Sequence, residues 1–212
     1  MSNWEYKGVY KKYNMEGIIS LPNDSKLQVC DLIDTMPDFM KEADTLFIDP
    51  PCNQGNLTSF YTKNDSEKTR DFTTFYNKLF ERIDEIAPKH LFFEIFASNY
   101  DLFLSECKKR YQNIIIYESF YYNKKSNKCW IFHCSNEPIH KNEAMNNIDE
   151  EKAIKYICEN HSYNCIGDLC MGTGLVAKYA YLNGKKFVGT ELNKKRLALV
   201  VDFINQKEQN EK

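Results

Sequence analysis

The sequence lacks long apolar runs, and no stretch approaches the roughly 18 consecutive apolar residues that a membrane-spanning helix requires. It also lacks a recognisable secretory signal, because residues 1–6 contain no basic segment followed by an apolar one. A chain of 212 residues can form one α/β domain whose core needs no disulfide bonds. We therefore expect a soluble, cytoplasmic protein with a single domain over residues 1–212.

Closely spaced cysteine pairs are also absent. None of the eight cysteines belongs to a Cys-x-x-Cys pair, and several lie in apolar runs such as residues 129–132, so we expect reduced, mostly buried thiols. A zinc site formed by Cys129, His133 and Cys134 is the alternative, but no second pair stands at a spacing that would complete four ligands. The sequence therefore predicts no metal.

An excess of positive charge is missing as well, because the formal net charge is -2. Phosphate contacts supply most of the affinity of proteins that bind nucleic acids without sequence preference. We therefore do not expect a strong nonspecific polyanion binder, and any basic surface must be local.

The apolar pattern that is present predicts an α/β fold with about seven strands and six helices. Two apolar runs lead directly into polar or glycine-containing turns, which is where open α/β sheets bind ligands. Strands are predicted at residues 26–31, 45–48, 90–96, 113–122, 128–134, 165–169 and 187–191. Helices are predicted at residues 32–40, 69–87 and 99–110, from residue 149, at residues 175–183, and from residue 193, with a polar tail at 208–212.

A glycine-containing turn, residues 168–174, joins one of these strands to the next helix. Its glycines allow the backbone to approach a ligand, and its amides point toward the helix start. Glu191 ends the following strand, where a carboxylate can accept hydrogen bonds from both ribose hydroxyls of a nucleoside cofactor. The third glycine of a dinucleotide motif and a Walker lysine are both missing, which favours an adenosyl cofactor over NAD or ATP. The alternative is an ordinary turn followed by an ordinary strand-end carboxylate.

A second motif, Asp49-Pro50-Pro51-Cys52-Asn53, follows the apolar strand at 45–48. The two prolines stiffen the strand exit and remove backbone donors, which leaves a carboxylate and bare carbonyls facing a cleft. Asp49 and the Pro50 carbonyl can each accept one N–H of an amino group and stabilise the positive charge that develops on its nitrogen during transfer. The alternative is that these residues only end a strand.

Together the two motifs resemble those of the bacterial and phage DNA amino-methyltransferases. Residues 49–56, with Phe60 and Tyr61 downstream, look like the catalytic motif DPPYNTGN, and residues 168–174 are similar to the cofactor motif DPFMGSG. The catalytic motif comes first, as in the circularly permuted β class, and the resemblance covers about residues 26 to 205. It implies a Rossmann-like S-adenosylmethionine-dependent methyltransferase fold, with helices on both faces of a mixed sheet. Because predicted strands and helices of the core occupy the space between the two motifs, we expect no separate target-recognition domain.

The resemblance also implies roles for individual residues. Asp49, Pro50 and Pro51 would receive the target amine next to Cys52, in a catalytic half at about 26–135. The cofactor-binding half, at about 149–207, would bind S-adenosylmethionine, with Glu191 on the ribose. The full set implied for the cofactor is Asp31, Asp168, Cys170, Met171, Gly172, Thr173, Gly174, Glu191 and Leu192. Asp31 stands where the family has a Gly-Asp pair, although Cys30 replaces the glycine.

The chain departs from the family at Cys52, where an aromatic residue usually stacks on a flipped-out base, a contact worth about 1 to 3 kcal/mol. Phe60 or Tyr61 could supply a substitute ring if their segment folds over the pocket; the alternative is that at least one of them is core. The residues expected to bind the base are Asn53, Phe60, Tyr61, Lys124 and Lys125.

The family's long target-recognition insertion has no counterpart here. Loops at 62–70, 123–128 and 138–145 are the candidates for reading bases, although the lysines of the second loop can equally be a solvated hairpin tip. A homodimer or a partner subunit could supply sequence recognition.

The predicted function is methylation of adenine N6 in DNA, in a bacterial cell or a phage-infected host. Adenine is favoured because an Asp opens the tetrapeptide, whereas the cytosine-N4 enzymes of this family more often begin with Ser. The open alternatives are cytosine N4, RNA or a small amine as acceptor, and a noncatalytic subunit that keeps the fold.

Overall fold

The computed structural model describes residues 3–64 and 70–210. Nine strands of these residues form one sheet: β1 (Ile18–Leu21), β2 (Ser25–Val29), β3 (Thr45–Ile48), β4 (His90–Phe96), β5 (Asn113–Phe120), β6 (Lys128–Ser135), β7 (Ile148–Asp149), β8 (Cys165–Asp168) and β9 (Lys186–Glu191). The α-helices of the same residues are α1 (Gln54–Lys63), α2 (Phe72–Ile86), α3 (Tyr100–Arg110), α4 (Glu150–Asn160), α5 (Leu175–Leu182) and α6 (Lys194–Asn210).

The strand order across the sheet is β1-β2-β9-β8-β3-β4-β6-β5-β7. The neighbouring strands β2, β9, β8, β3 and β4 all run parallel, whereas β1 and β6 run antiparallel to their partners. Parallel strands end at the same edge of a sheet, so the carboxyl ends of these five strands meet there. The motifs at 49–53 and 168–174 and the strand-end residue Glu191 therefore converge.

Helices cover both faces of the sheet, as predicted. Side chains alternate across each strand, so Leu46 and Ile48 of β3 pack with α2 and α3, while Phe47 packs on the opposite side with α4, α5 and α6. Helix α2 begins at Asp71, whose carboxylate accepts a hydrogen bond from the Thr74 amide. None of the described helices is both long and apolar enough to cross a membrane.

The sheet has nine strands rather than about seven. The prediction missed β1, an edge strand that joins β2 through a turn in which Asn23 and Asp24 take the left-handed backbone conformation. It also missed β7, whose two residues, paired with β5, are too few to produce a pattern.

Two helix predictions were wrong in the first third of the chain. Residues 32–40 form a turn and then a 3-10 helix, Asp38–Glu42, because Pro37 has no amide hydrogen and disfavours helix in the residue before it. Helix α1 was not predicted, although Asn53 caps it by accepting a hydrogen bond from the Asn56 amide. The remaining five predicted helices are present, but residue 69, the predicted start of α2, and tail residues 211–212 lie outside the described residues.

Candidate active site

A cavity of about 480 Å³ opens at the carboxyl edge of the parallel strands. This volume lies within the usual range of small-molecule sites, roughly 300 to 1,000 Å³. Twelve residues that the sequence predicted to bind cofactor or substrate, or to act in catalysis, line it: Asp31, Asp49, Pro51, Phe60, Tyr61, Asp168, Cys170, Met171, Gly172, Thr173, Glu191 and Leu192. The fold thus brings both motifs to one cavity.

The other predicted residues do not line this cavity. Pro50 is buried, and Gly174 packs behind the turn. The backbone of Cys52 is held by Asn56, whose side chain accepts from its amide at 3.3 Å, and by Asn99, which donates to its carbonyl. Asn99 stands at the start of α3 but makes no side-chain cap hydrogen bond there, because its amide group contacts Cys52 instead. The remaining predicted residues, Asn53, Lys124 and Lys125, are exposed.

Glu191 shapes the glycine turn directly. One of its carboxylate oxygens accepts from the Gly172 amide at 2.6 Å, and the other accepts from the Asn193 amide at 2.9 Å. The side chain is buried, and this desolvation raises its pKa. Because each carboxylate oxygen has two lone pairs, Glu191 can still accept hydrogen bonds from a ligand.

The two glycines of the turn serve different purposes. Both have the left-handed backbone that favours glycine, with φ of 55° at Gly172 and 75° at Gly174. A Cβ on Gly172 would meet no atom closer than 3.9 Å, whereas one on Gly174 would lie 2.2 Å from the Val200 Cγ2 atom. Gly174 therefore allows α5 to pack against α6, while Gly172 gives the turn its shape beside Glu191.

Asp31, at the exit of β2, is held by residues from other parts of the chain. The Tyr61 hydroxyl lies 3.0 and 2.9 Å from its two carboxylate oxygens, and Arg70 lies 3.5 Å from one of them. The Ile33 amide also donates to it at 3.1 Å. Tyr61 is 3% exposed, so its ring belongs to the core, and its hydroxyl positions Asp31.

Asp49 faces the cavity from the exit of β3. Its carboxylate accepts a hydrogen bond from the Tyr121 hydroxyl at 3.4 Å. Desolvation by the surrounding protein, which outweighs that hydrogen bond, raises the pKa of Asp49 to about 7, and the negative charge of Glu150 adds to the shift. Glu94 of β4, buried nearby, has its pKa raised by burial and then by the charges of Asp49 and Glu150.

Several residues of this cavity carried no signal in the sequence. Glu94, Tyr121, Tyr122, Glu150 and Arg196 all line it. Glu94 is a partial exception: a glutamate inside the apolar strand β4 is visible in the sequence as unusual, because a carboxylate is seldom buried without a reason. The two tyrosines follow β5 in a turn that only the sheet order brings near Asp49.

Arg196 contributes the positive charge of the cavity. Its guanidinium lies 4.8 Å from the centre of the Phe60 ring and donates to the Tyr6 hydroxyl at 3.2 Å. Its charge also lowers the pKa values of Asp49 and Glu191, against the larger effect of burial. Among the described residues that line the cavity, Arg196 is accompanied by six carboxylates: Asp31, Asp49, Glu94, Glu150, Asp168 and Glu191.

The zinc ligands considered from the sequence do not converge. Cys129, His133 and Cys134 all lie on β6, where successive side chains point to opposite faces of the sheet. Cys129 therefore faces away from Cys134, and its thiol lies 3.8 Å from the Glu94 carboxylate.

No protein-family model matches this sequence. No curated protein matches it either. Solved structures do match in fold. M1.HpyAVI in complex with SAM superposes with a TM-score of 0.60 at 11% sequence identity, covering 84% of this chain and 98% of the other.

Two further structures are similar to this chain. TTHA0409, a candidate DNA modification methylase of Thermus thermophilus complexed with S-adenosyl-L-methionine, has a TM-score of 0.58 at 12% identity, covering 85% of this chain and 93% of its own. PvuII DNA methyltransferase, which is cytosine-N4-specific, has a TM-score of 0.52 at 9% identity, covering 90% and 95%. The chain therefore has the α/β fold of these methyltransferases, as its motifs predicted.

Proposed function

We propose that this protein is an S-adenosylmethionine-dependent methyltransferase that methylates the exocyclic N6 amine of adenine in DNA. The observation that carries the proposal is that Asp49 lines the same cavity as the glycine turn at Gly172 and the ribose-binding candidate Glu191. An amine acceptor and a nucleoside-cofactor site in one cavity are what direct methyl transfer between two bound molecules needs.

The charge of the cavity supports a sulfonium cofactor. Six carboxylates and one guanidinium line it, and burial raises the pKa values of Asp49, Glu94, Asp168 and Glu191. A bound cation would favour the ionised forms of these carboxylates, whereas the phosphates of NAD or ATP would disfavour them. When bound, S-adenosylmethionine would supply a methyl group on a positively charged sulfur.

The residues at the carboxyl edge divide the contacts with this cofactor. Glu191 would accept the ribose hydroxyls with the lone pairs that the Gly172 and Asn193 amides leave free. Asp168, whose side chain accepts from the Cys170 amide at 2.9 Å, holds the start of the turn. Asp31, which the Tyr61 hydroxyl holds in place at the exit of β2, would face the positively charged sulfur of the cofactor.

Asp49 would receive the amine of the target base. Its ionised carboxylate would accept an N–H, aim the nitrogen lone pair at the methyl group, and stabilise the positive charge that nitrogen would gain as the N–C bond replaces the methyl–sulfur bond, whose electron pair would stay on sulfur. The same carboxylate can then take the amine proton, because its pKa is raised toward neutrality. The Pro50 carbonyl, which the sequence suggested as the second acceptor, does not line the cavity, so the proposal assigns the amine to Asp49.

Tyr121 would replace the ring that Cys52 lacks. It lines the cavity, donates to Asp49, and lies 6.2 Å from Phe96 and 5.9 Å from Tyr122 between ring centres. Tyr122 is 77% exposed, so this aromatic group reaches from solvent to the amine acceptor. A base that leaves its duplex needs such a surface, because stacking offsets part of the cost of flipping.

Cytosine N4 is the second candidate acceptor. PvuII DNA methyltransferase, one of the proteins with this fold, is cytosine-N4-specific, and both bases present an exocyclic amine to the same kind of acceptor. The Asp that opens the tetrapeptide favours adenine.

The test is transfer of labelled methyl from S-adenosylmethionine to unmodified AT-rich DNA and to RNA of the same sequence, with products identified by nucleoside mass spectrometry. N6-methyladenine in DNA supports the proposal. N4-methylcytosine would support the cofactor assignment but show that the target base is cytosine. No transfer to either polymer, with the cofactor bound in calorimetry, would contradict an independent enzyme and favour a partner-dependent subunit.

Variants connect this result with the site. Asp49→Ala should abolish turnover while the dissociation constant for the cofactor stays within about twofold. Asp101→Ala, which removes an exposed carboxylate from the first turn of α3, is the matched control and should leave turnover unchanged. Retained methylation by Asp49→Ala would rule out this mechanism.

A further inference from the structure

Three of the four histidines in the chain meet at the amino edge of the parallel strands, opposite the candidate active site. His90 is the first residue of β4, His133 lies on the antiparallel neighbour β6, and His161 directly follows α4. These segments are far apart in the sequence and are brought together by the β4–β6 pairing and by the packing of α4 on the sheet.

The three imidazoles turn ring nitrogens toward one another. The Nδ1 atom of His90 lies 3.1 Å from the Nε2 atom of His133, and one nitrogen from each of the three rings lies within 4.8 Å of the others. The ligand nitrogens of a tetrahedral zinc ion, with bonds of about 2.0 to 2.1 Å, are roughly 3.4 Å apart. The His90 and His133 nitrogens are therefore already near the separation of two zinc ligands, and the His161 nitrogen lies at most 4.8 Å from them.

One nitrogen of this group lacks any other role within the described part of the chain. The Nε2 atom of His161 is buried and has no hydrogen-bond partner there, although buried polar atoms almost always have one. Packing also fixes the rings, because Phe92 stacks on His133 with 4.2 Å between ring centres. Because His90 and His161 are only half-buried, solvent can reach the group.

Burial disfavours the charged form of all three imidazoles. Burial lowers the pKa of His133 to about 3 and that of His161 to about 4, and it also lowers the pKa of His90. The neutral imidazole is the form that binds metal ions. The negative charge of Asp44, whose carboxylate is held by Asn164, acts on His90 and His161 and can balance a cation.

We infer that His90, His133 and His161 bind one divalent transition-metal ion, of the class that prefers imidazole and includes Zn²⁺, with a remaining position open to water. The ion would join β4, β6 and the end of α4, and it would stabilise the folded chain. This site is separate from the cavity at the opposite edge, so the inference is independent of the proposed function.

The test is calorimetric titration of chelator-treated protein with Zn²⁺ alone, together with thermal unfolding in the presence and absence of the ion. One Zn²⁺ per chain should bind, and the Tm should rise by roughly 5 to 10 °C at about 100 times the dissociation constant. His161→Gln and His90→Gln should each weaken binding at least about 100-fold, because loss of a ligand costs more than the 10- to 100-fold typical of supporting residues.

His140→Gln is the matched control, since this fourth histidine is exposed and lies outside the cluster. Because the eight cysteines could also bind zinc, cobalt(II) spectra of the wild type should show no thiolate charge-transfer band. Thermal unfolding without metal identifies any variant that fails to fold. If His161→Gln fails to fold, His161→Asn replaces it. Binding that survives in both cluster variants, disappears in His140→Gln, or gives a thiolate band would overturn the inference, as would the absence of stoichiometric binding.

Discussion

The hydroxyl of Tyr61 lies within 3.0 Å of both carboxylate oxygens of Asp31, and so it ties helix α1 to the exit of β2. Helix α1 begins directly after the motif that follows β3, whereas Asp31 lies in the part of the cavity that we propose binds the cofactor. This contact therefore joins the acceptor half of the candidate site to its cofactor half, and it depends on a residue that we expected from the sequence to contact the base.

Tyr61→Phe should weaken cofactor binding, because Asp31 loses the group that orients it. A hydrogen bond to a charged group contributes about 1.5 kcal/mol or more, which corresponds to a dissociation constant for S-adenosylmethionine roughly tenfold higher in calorimetry. Tyr76→Phe is the matched control, since its hydroxyl donates to the Leu102 carbonyl outside the cavity. Equal losses in the two variants would indicate a general packing effect and contradict the role given to Tyr61.

Turnover should fall on the acid side of neutral pH. The side chain of Asp49 is exposed to solvent at the cavity, but desolvation by the surrounding protein raises its pKa to about 7, so the carboxylate is protonated as the pH falls through that value and no longer serves as an anionic acceptor. The ratio kcat/KM should decrease about tenfold for each pH unit below that pKa.

A variant of Glu150 tests whether Asp49 controls this pH dependence. Its negative charge raises the pKa of Asp49, so Glu150→Gln should move the acid limb of the profile to lower pH. Glu151→Gln changes the next residue of α4, which accepts from Tyr179 and does not line the cavity, and it should leave the limb where it is. A limb that does not move in Glu150→Gln would show that another group controls it.

Two variants of Tyr121 should distinguish its role in base stacking from its role in positioning the amine acceptor. Tyr121→Ala removes the ring and should raise the KM for DNA on the order of tenfold or more, with cofactor affinity unchanged. Tyr121→Phe keeps the ring but loses the hydrogen bond to Asp49, so it should lower kcat while the KM for DNA stays near the wild-type value. If Tyr121→Ala binds DNA as well as the wild type does, the stacking role belongs to another residue.

Gly174→Ala should destabilise the fold by several kcal/mol. The new Cβ would lie 2.2 Å from the buried Val200 side chain, and the backbone has a φ of 75°. Gly184→Ala is the matched control, because its φ of 65° carries similar backbone strain of about 1 to 2 kcal/mol while no atom lies within 4 Å of the new Cβ. Urea unfolding of both variants gives the comparison, and equal free energies of unfolding would show that the Val200 contact relaxes without cost.

Much of the fold could be predicted from short-range patterns in the sequence. The seven predicted strands are all present, and the glycine turn and the Asp49 motif both follow buried strands, as their sequences indicated. The predicted helix at 32–40 is absent because Pro37 interrupts it, and α1, which was not predicted, begins at the Asn53 cap.

Residues of the candidate site could be predicted from the sequence only where they lie next to a motif. Asp49, Asp168 and Glu191 stand at strand ends, so their convergence follows from parallel pairing. Tyr121 and Arg196 have no such signal, because a turn after β5 and the first turn of α6 reach the cavity only through the order of strands and the packing of helices.

The sequence by itself determined most of the elements and the two motifs, because strand alternation, helix spacing, caps and turn residues act over a few neighbouring positions. Only the tertiary structure decided that Tyr61 holds Asp31, that Tyr121 rather than Cys52 offers a ring beside Asp49, and that three histidines meet at the opposite edge. Those contacts join residues far apart in the chain, and their existence depends on strand order, pairing register and helix packing, which no local pattern specifies.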